Sequence, residues 1–512
     1  MSAALPSDAD IVVIGAGSAG AVIAARATEN SARQVLLLEA GPDYGPEPEA
    51  LPEDLSNGLE NSIHRHDWHF RHLPLKKQRT FPFPRGKVVG GSSAVNTCIA
   101  LRGQPYDYDE WASFGLPEWS FERCLPAFKR LETDLDIDDE WHGQSGPIRV
   151  RRHTESELVP WQAAFMECCA DVGFERCHDH NSPLTTGYGP HVMNKIDGVR
   201  QNAATCYLTR EVRARPNLTV CGGALVQRLL FENQRISGVE LRYRGETRVV
   251  RCKQVLLCAG AILTPAILLR SGVGPEDQLA RLGVSEVAVV PAVNKRLLDH
   301  PGAALVFVPR YDFSSIRHPL IQTTMRFTSK GSPCPNDMQL QPGSFIPFPA
   351  FSAPVVTMMT CIGKPRGSGR LIFSSTDPLE KPRIDSRLLE DGEDRKRAVE
   401  ALQLAWLIVS GSPMREMVHY FWPQERVLRD PRRLSEWLPI STGSGYHPCG
   451  TVPMGREGDT AAATDQHGRL RGVEGVFVAD ASLMPTVPSS NTNFPTLMIG
   501  ERFGEWVREG VI

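Results

Sequence analysis

The sequence predicts a mixed α/β chain, α+β overall. One nucleotide-binding domain is built from discontinuous segments, and a second domain is built on an antiparallel sheet. Three observations carry this. Residues 10–17 (DIVVIGAG), 18–30 and 34–39 (QVLLLE) read as buried strand with glycine turn, helix, and buried strand ending in an acid, the opening of a parallel sheet. The stretch 256–274 (LLCAGAILTPAILLRSGVG) returns to strand, turn and helix far downstream. Between 302 and 380 the pattern changes to short β-like runs with proline and aromatic residues, the mark of a second sheet facing a substrate.

The remaining elements follow in order. Residues 42–80, rich in Pro, Asp, Asn and His, read as a long loop, and 84–103 are dense in glycine. Helical patterns cover 122–132, 159–173 and 395–412. The alternation over 217–258 suggests antiparallel strands. The last 80 residues are loop-rich and close with VFVADAS and a helix from about Phe494. Three separated α/β stretches assign 1–152, 215–300 and 441–512 to the nucleotide-binding domain. The substrate domain takes 153–214 and 301–440. No internal repeat or low-complexity segment interrupts this pattern.

Composition narrows the function. The chain has 512 residues and a net charge of −3, with 41% hydrophobic and 22% charged residues. That is the balance of a globular enzyme, without the basic excess of a nucleic-acid binder. No apolar run reaches the ~20 residues needed to span a bilayer. The start MSAALPSDAD is not a secretory signal, and twelve scattered cysteines without a CxxC pair read as reduced thiols. A cytoplasmic protein is expected, with the sequon at Asn217 unmodified.

Gly15-x-Gly17-x-x-Gly20 lies between a predicted strand and helix. Gly15 permits the tight turn, Gly17 lets the backbone approach a pyrophosphate, and Gly20 allows close helix–strand packing. Glu39 ends the next strand, placed to accept ribose hydroxyls. The motif alone does not separate FAD from NAD. A second cluster, PRGKVVGGSSAVN (84–96), offers many backbone N–H groups, two hydroxyls and the fixed charge of Arg85 to a phosphate or a flavin ring.

With these residues the chain resembles the glucose–methanol–choline (GMC) family of FAD-dependent oxidoreductases. One family signature matches PRGKVVGGSSAVN, followed by Arg102-Gly103 and DYDEW (107–111). A second matches GAILTPAILLRSGVG (260–274), and the C-terminal block 472–501 matches as well. RPNLTV (215–220) and HGQSGPI (142–148) add to it, so the similarity runs essentially end to end. The resemblance implies FAD held by Gly15, Gly17, Ser18, Gly20, Glu39, Ala40, Arg85, Val89, Gly90, Ser93, Asn96, Thr97, Val226, Asp480, Asn491, Thr492 and Pro495. Val95 stands where some members carry a flavin-linking histidine, which implies non-covalent FAD. One departure is local: Val293-Asn294-Lys295-Arg296-Leu297-Leu298-Asp299-His300-Pro301 keeps the family's DHP but not the preceding glycine and asparagine.

Alcohol oxidation needs a base for the hydroxyl proton and a hydride acceptor, and the flavin supplies the acceptor. His447, in SGYHPCGTVPMG, matches the family's base position. Asn491 matches its His-or-Asn partner, and Asn493 is the rival for that amide role. Gln341, Phe345, Tyr446 and Asn493 are candidate substrate contacts, with Phe345, Phe348 and Phe351 a candidate apolar channel. The histidines His64, His66, His69 and His72 read as a loop near the entrance rather than a metal site, and no metal is expected. Cys177, His178, Asp179 and His180 read as a polar turn. The expected activity is oxidation of a primary alcohol, aryl, furan or choline-like, with oxygen or a quinone or protein carrier as acceptor. The alternative is a hydroxynitrile lyase using FAD without net redox. A homodimer is compatible with the resemblance.

Overall fold

The computed structural model describes residues 5–59, 61–62, 65–75, 79–183, 185–346 and 355–512. Its first sheet has seven strands. Leu218–Cys221, Val35–Leu38, Asp8–Ile14 and Glu246–Leu257 lie side by side and parallel. Val476–Val478 extends the parallel set beside Glu246–Leu257, which also begins an antiparallel run with Arg235–Tyr243 and Ala224–Glu232. The strands Asp8–Ile14 and Val35–Leu38 are apolar because both faces are covered, and Ile11–Val13 and Leu36–Leu37 are fully buried. Helix Ser18–Ala27 packs on one face against helix Asn493–Glu509, with Gly500 and Gly504 making room for Val22 and Arg26. The N-termini of these two helices thus meet at the carboxyl edge of the parallel strands, where open α/β sheets bind ligands.

The second sheet also has seven strands, all antiparallel. The path runs Val418–Trp422, Pro301–Pro309, Val355–Ile362, Met338–Ile346, Thr323–Phe327 and Gly187–Pro190, with Gly443–Ser444 paired to Pro301–Pro309. Helices Pro160–Asp171 and Gly392–Val409 cover one face, and their apolar stripes form a separate core with Trp161, Phe165, Leu340 and Met358. The predicted helix 395–412 is displaced toward its start. Asp391 caps it, accepting from the N–H groups of Glu393 and Asp394 (2.9 and 3.0 Å), a cap worth about 1 kcal/mol.

The expected long loop at 42–80 contains regular structure. Phe70–Leu73 pairs with Phe81–Phe83 and, in parallel, with Arg383–Asp385. Phe70 and His72 point inward while Arg71 points out, an alternation hidden by the polar composition. At the departure in 293–296, Asn294 takes a positive φ (57°), a region that asparagine tolerates better than most side chains. Arg296 donates to the carbonyls of Gly450 and Pro485.

Candidate active site

One cavity of about 1000 Å³ joins the two halves of the molecule. At one end lie Gly15, Gly17, Ser18, Glu39, Ala40 and Val226, and at the other Gln341, Phe345, Tyr446, His447 and Asn491. At the nucleotide end Gly15 has φ +100°, and a Cβ there would sit 2.4 Å from the Cys258 carbonyl oxygen. Gly17 is the N-cap of Ser18–Ala27 without a side-chain cap, and a Cβ on it would meet nothing nearer than Gly91 Cα at 3.8 Å. Backbone donors and the positive end of the helix dipole therefore face open cavity, the environment a pyrophosphate requires. Glu39 is buried and accepts from the Ala16 and Gly41 N–H groups (3.0 and 2.8 Å), which holds its carboxylate at the cavity edge. Burial pushes it up to about 7. The dinucleotide of FAD fits this cradle in its donor set and in the open approach at Gly17.

Several predicted cofactor residues act one step away from the cavity wall. Gly90 donates its N–H to the Ala16 carbonyl (2.7 Å), and Val89 donates to that of Pro42 (3.0 Å). Ser93 Oγ donates to Gly90 O (2.6 Å) and accepts from Ala203 N–H (3.0 Å). The polar groups of this stretch are thus consumed in clamping it onto the glycine turn, and Val89, Gly90 and Ser93 do not line the cavity, whereas Arg85, Val95, Asn96 and Thr97 do. Gly20 and Pro495 are likewise buried behind the wall. A Cβ on Gly20 would lie 1.9 Å from Gly15 O, so its role is helix-to-turn contact. Asp480 reaches the cavity, but its carboxylate is held by Gly260 N–H, Thr264 Oγ1 and Ser482, fixing the start of helix Gly260–Arg270. Ser18 Oγ donates to Asn493 Oδ1 (2.8 Å), which ties Asn493 to the nucleotide end. Thr492 lines the wall between Asn493 and Asn491.

At the other end, Asn491 Nδ2 lies 3.0 Å from His447 Nε2, and Asn491 Oδ1 has no hydrogen-bond partner among the described residues. His447 Nδ1 lies 2.8 Å from His300 Nδ1, and His300 Nε2 lies 3.0 and 2.9 Å from the carbonyls of Gly363 and Pro488. Beneath the pair, Asp299 accepts from the N–H groups of His447 and His300 (both 2.8 Å) and from Ser444 Oγ. Gly445 makes the pair possible, since a Cβ there would approach His447 Nδ1 to 2.9 Å. Tyr446 holds a left-handed φ of 64°, a strained position for a bulky side chain, and directs His447 inward. Burial, then His300 and Arg85, hold His447 well below the usual imidazole range. Burial also pushes His300 down to about 4 and Asp299 up to about 6. Arg85, pushed down to about 10 by burial, donates to the Tyr446 carbonyl (2.6 Å).

The second sheet closes this end with Ala303, Ala304, Gln339, Gln341, Met359 and Cys361. Gln341 stands opposite Met359 and Gln339 opposite Cys361, so the four share one face. The sequence reading singled out Gln341 and missed Gln339, although the two-residue spacing already put both on one side. His300 and Asp299 were also missed as parts of this site. Their signal was the surviving DHP. Phe345 lines the cavity, while Phe348, Phe351 and His64 lie outside the described residues. The other loop histidines diverge. His66 bonds Tyr44 Oη and Asp54, His72 bonds Ser386 Oγ, and His69 is exposed. The turn at 177–180 is largely buried rather than solvated, because Asp179 pairs with Arg152 and His142. Glu132, Asp134 and His142 bring three ligand-type atoms within 4.8 Å of one another, but Arg102 and Arg152 occupy the same carboxylates.

Comparison with known proteins places the chain in a family. Family models described as GMC oxidoreductase match residues 9–302 and 365–500. A 5-(hydroxymethyl)furfural oxidase of Methylovorus sp. is 33% identical, the match covering 97% of this chain and 98% of the relative. An oxygen-dependent choline dehydrogenase of Vibrio vulnificus is 31% identical over 97% and 94% of the two chains. The solved pyridoxine 4-oxidase from Mesorbium loti superposes with a TM-score of 0.89 at 29% identity, covering 97% of this chain and 99% of that one. The chain belongs to the GMC oxidoreductase family, and it is an FAD-dependent alcohol oxidoreductase.

Proposed function

We propose that this enzyme oxidises a neutral primary alcohol, aryl or furan-like, to the carbonyl compound, with His447 as base and Asn491 as its partner. The observation that carries the reading is the His447–Asn491 pair, 3.0 Å apart, at the end of a cavity continuous with the nucleotide cradle. When bound, FAD accepts the hydride from the alcohol carbon. His447 Nε2 takes the hydroxyl proton, and it is unprotonated over the working pH range because burial disfavours its cation. Asn491 orients the oxygen and stabilises developing alkoxide charge through its amide N–H. Arg85 and the uncharged sheet face of Gln339, Gln341 and Met359 favour a neutral substrate over a choline-like cation. Residues 1–152, 215–300 and 441–512 make the FAD-binding part, and 153–214 with 301–440 make the substrate part. Val95, a hydrocarbon at the wall, supports non-covalent FAD, and a cytoplasmic enzyme completes the reading.

The test is anaerobic mixing of the yellow protein with furan, aryl and choline alcohols while the flavin band is followed, then admission of air. Bleaching by furan or aryl alcohols is expected, and fast recolouring marks oxygen as acceptor rather than a quinone or protein carrier. His447→Ala should slow bleaching by about 10²- to 10⁴-fold with FAD still bound. Bleaching by choline alone would overturn the substrate class. Cyanide release from a cyanohydrin, with no alcohol bleaching the flavin, would replace oxidation by lyase chemistry. Acid precipitation should leave the flavin in the supernatant; flavin in the pellet would overturn non-covalent binding.

A further inference from the structure

The arrangement behind the base goes beyond the His–Asn pair. His300 is fully enclosed, comes from the strand junction before Pro301–Pro309, and reaches no part of the cavity wall. Its Nε2 faces two oxygens, Gly363 O at 3.0 Å and Pro488 O at 2.9 Å. Both are carbonyls and can only accept, so Nε2 carries the hydrogen. A neutral imidazole has one hydrogen, so His300 Nδ1 offers a lone pair. The atom opposite it, 2.8 Å away, is His447 Nδ1, which must then be the donor. The hydrogen of His447 is therefore on Nδ1, and the lone pair is on Nε2, the nitrogen that faces Asn491 and the cavity. The same logic fixes the amide: a lone pair on Nε2 is matched only by Asn491 Nδ2, which leaves the buried Asn491 Oδ1 without a hydrogen-bond partner among the described residues.

We infer that His300 is a positioning residue that sets the tautomer of the base, transmitting the polarity of two backbone carbonyls through one imidazole to the reactive nitrogen of another. This rests on the reading of His447 as base. Serine-protease chemistry fixes its histidine with a carboxylate, which also stabilises the imidazolium. Here the fixing group is neutral. It supplies the tautomer without supplying a counter-charge, so the base is correctly oriented yet remains easily deprotonated after each turnover. Asp299, the nearest carboxylate, takes the backbone N–H groups of both histidines rather than a ring nitrogen.

The test separates acceptor from packing. In His300→Asn, Oδ1 replaces the Nδ1 lone pair; in His300→Leu, bulk is retained without an acceptor. The expected result is a flavin-reduction rate constant about ten- to a hundredfold lower in His300→Leu, restored to within a few-fold of wild type in His300→Asn. The substrate dissociation constant should be nearly unchanged in both. Equal losses in the two variants, or none in His300→Leu, would overturn the inference. If His447→Ala itself reduced flavin at the wild-type rate, the base assignment would fail instead, which distinguishes the two. Should His300→Leu not fold, nitrogen-15 spectra of histidine-labelled holoenzyme decide. Nδ1 protonated in His447 is expected, and Nε2 protonated would overturn the assignment.

Discussion

Two histidine clusters in this molecule have their imidazoles shifted in opposite directions. The His447–His300 pair has imidazole against imidazole, two carbonyls at the far end and an amide at the near end. With no carboxylate on either ring, burial holds both histidines below their usual range. His142 is equally enclosed, but its Nδ1 meets Asp139 at 2.6 Å and its Nε2 meets Asp179 at 3.2 Å. Burial pushes it down, yet Asp179 and Asp139 outweigh that and the net shift is upward. The same side chain is pushed down in one place and up in the other, and the partners decide which. Burial alone marks neither.

Breaking the charged cluster should have the largest effect. Arg152 donates to both oxygens of Asp134 (2.9 and 3.0 Å) and through Nε to Asp179 (3.1 Å), joining strands Glu132–Asp134 and Ile148–Arg152 to the turn at 179. Removing it in Arg152→Met leaves two buried carboxylates without that partner, a loss of about 3–5 kcal/mol. Denaturant unfolding of FAD-saturated protein would read this. A loss below about 1 kcal/mol would mean that the network is not cooperative. Flavin reduction by substrate should be unchanged, because the network does not touch the cavity.

A smaller effect, with opposite sign in the two clusters, comes from pH. The folded value of His300 is about 4 against an ordinary 6.5. Its contribution is present above 6.5 and is lost as pH falls toward 4, about 3 kcal/mol in all. His142 is raised, so its contribution is present below 6.5 and is lost as pH rises through its folded value. Stability of the FAD-saturated protein measured across this range should show two limbs. His300→Asn should flatten the acid limb and His142→Gln the alkaline one. A single substitution that flattened both would show that the clusters are coupled.

The contrast also explains what the sequence could disclose. The nucleotide cradle was legible because its parts are adjacent in the chain: Gly15, Gly17 and Gly20 are one turn of backbone, and Glu39 ends the next strand. The glycine-dense stretch was over-read, since Gly90 and Ser93 look available as donors until the structure pairs them with Ala16 and Ala203. The proposed base and its amide were legible only through the family resemblance, as 44 residues separate them. His300 stands 147 residues before His447, and the surviving DHP marks it as a family position without naming its partner. The substrate face is assembled from strands whose pairing depends on the whole sheet, and the Arg152 network from residues 18 and 27 positions away. A linear reading reached Gln341 and Phe345 of the first and nothing of the second.

The finest test converts one cluster into the other. Asn491→Asp places a carboxylate where the amide now stands, 3.0 Å from His447 Nε2, and gives the base the kind of partner that His142 has. An opposite charge at this range raises an imidazole by about one to three units. His447 would then hold a proton on Nε2 near neutrality and be unable to accept one from the alcohol. The acid limb of the flavin-reduction profile should move up by about one unit or more, with activity recovering at alkaline pH. Asn491→Ala lacks the charge and should lower the rate at every pH without moving the limb. The pair of variants therefore separates the two jobs of this position, orienting the alcohol and keeping charge away from the base. If the profile of Asn491→Asp merely fell in parallel with that of Asn491→Ala, neutrality at residue 491 would have no part in keeping His447 a base, and its state would have to be credited to burial and His300 alone.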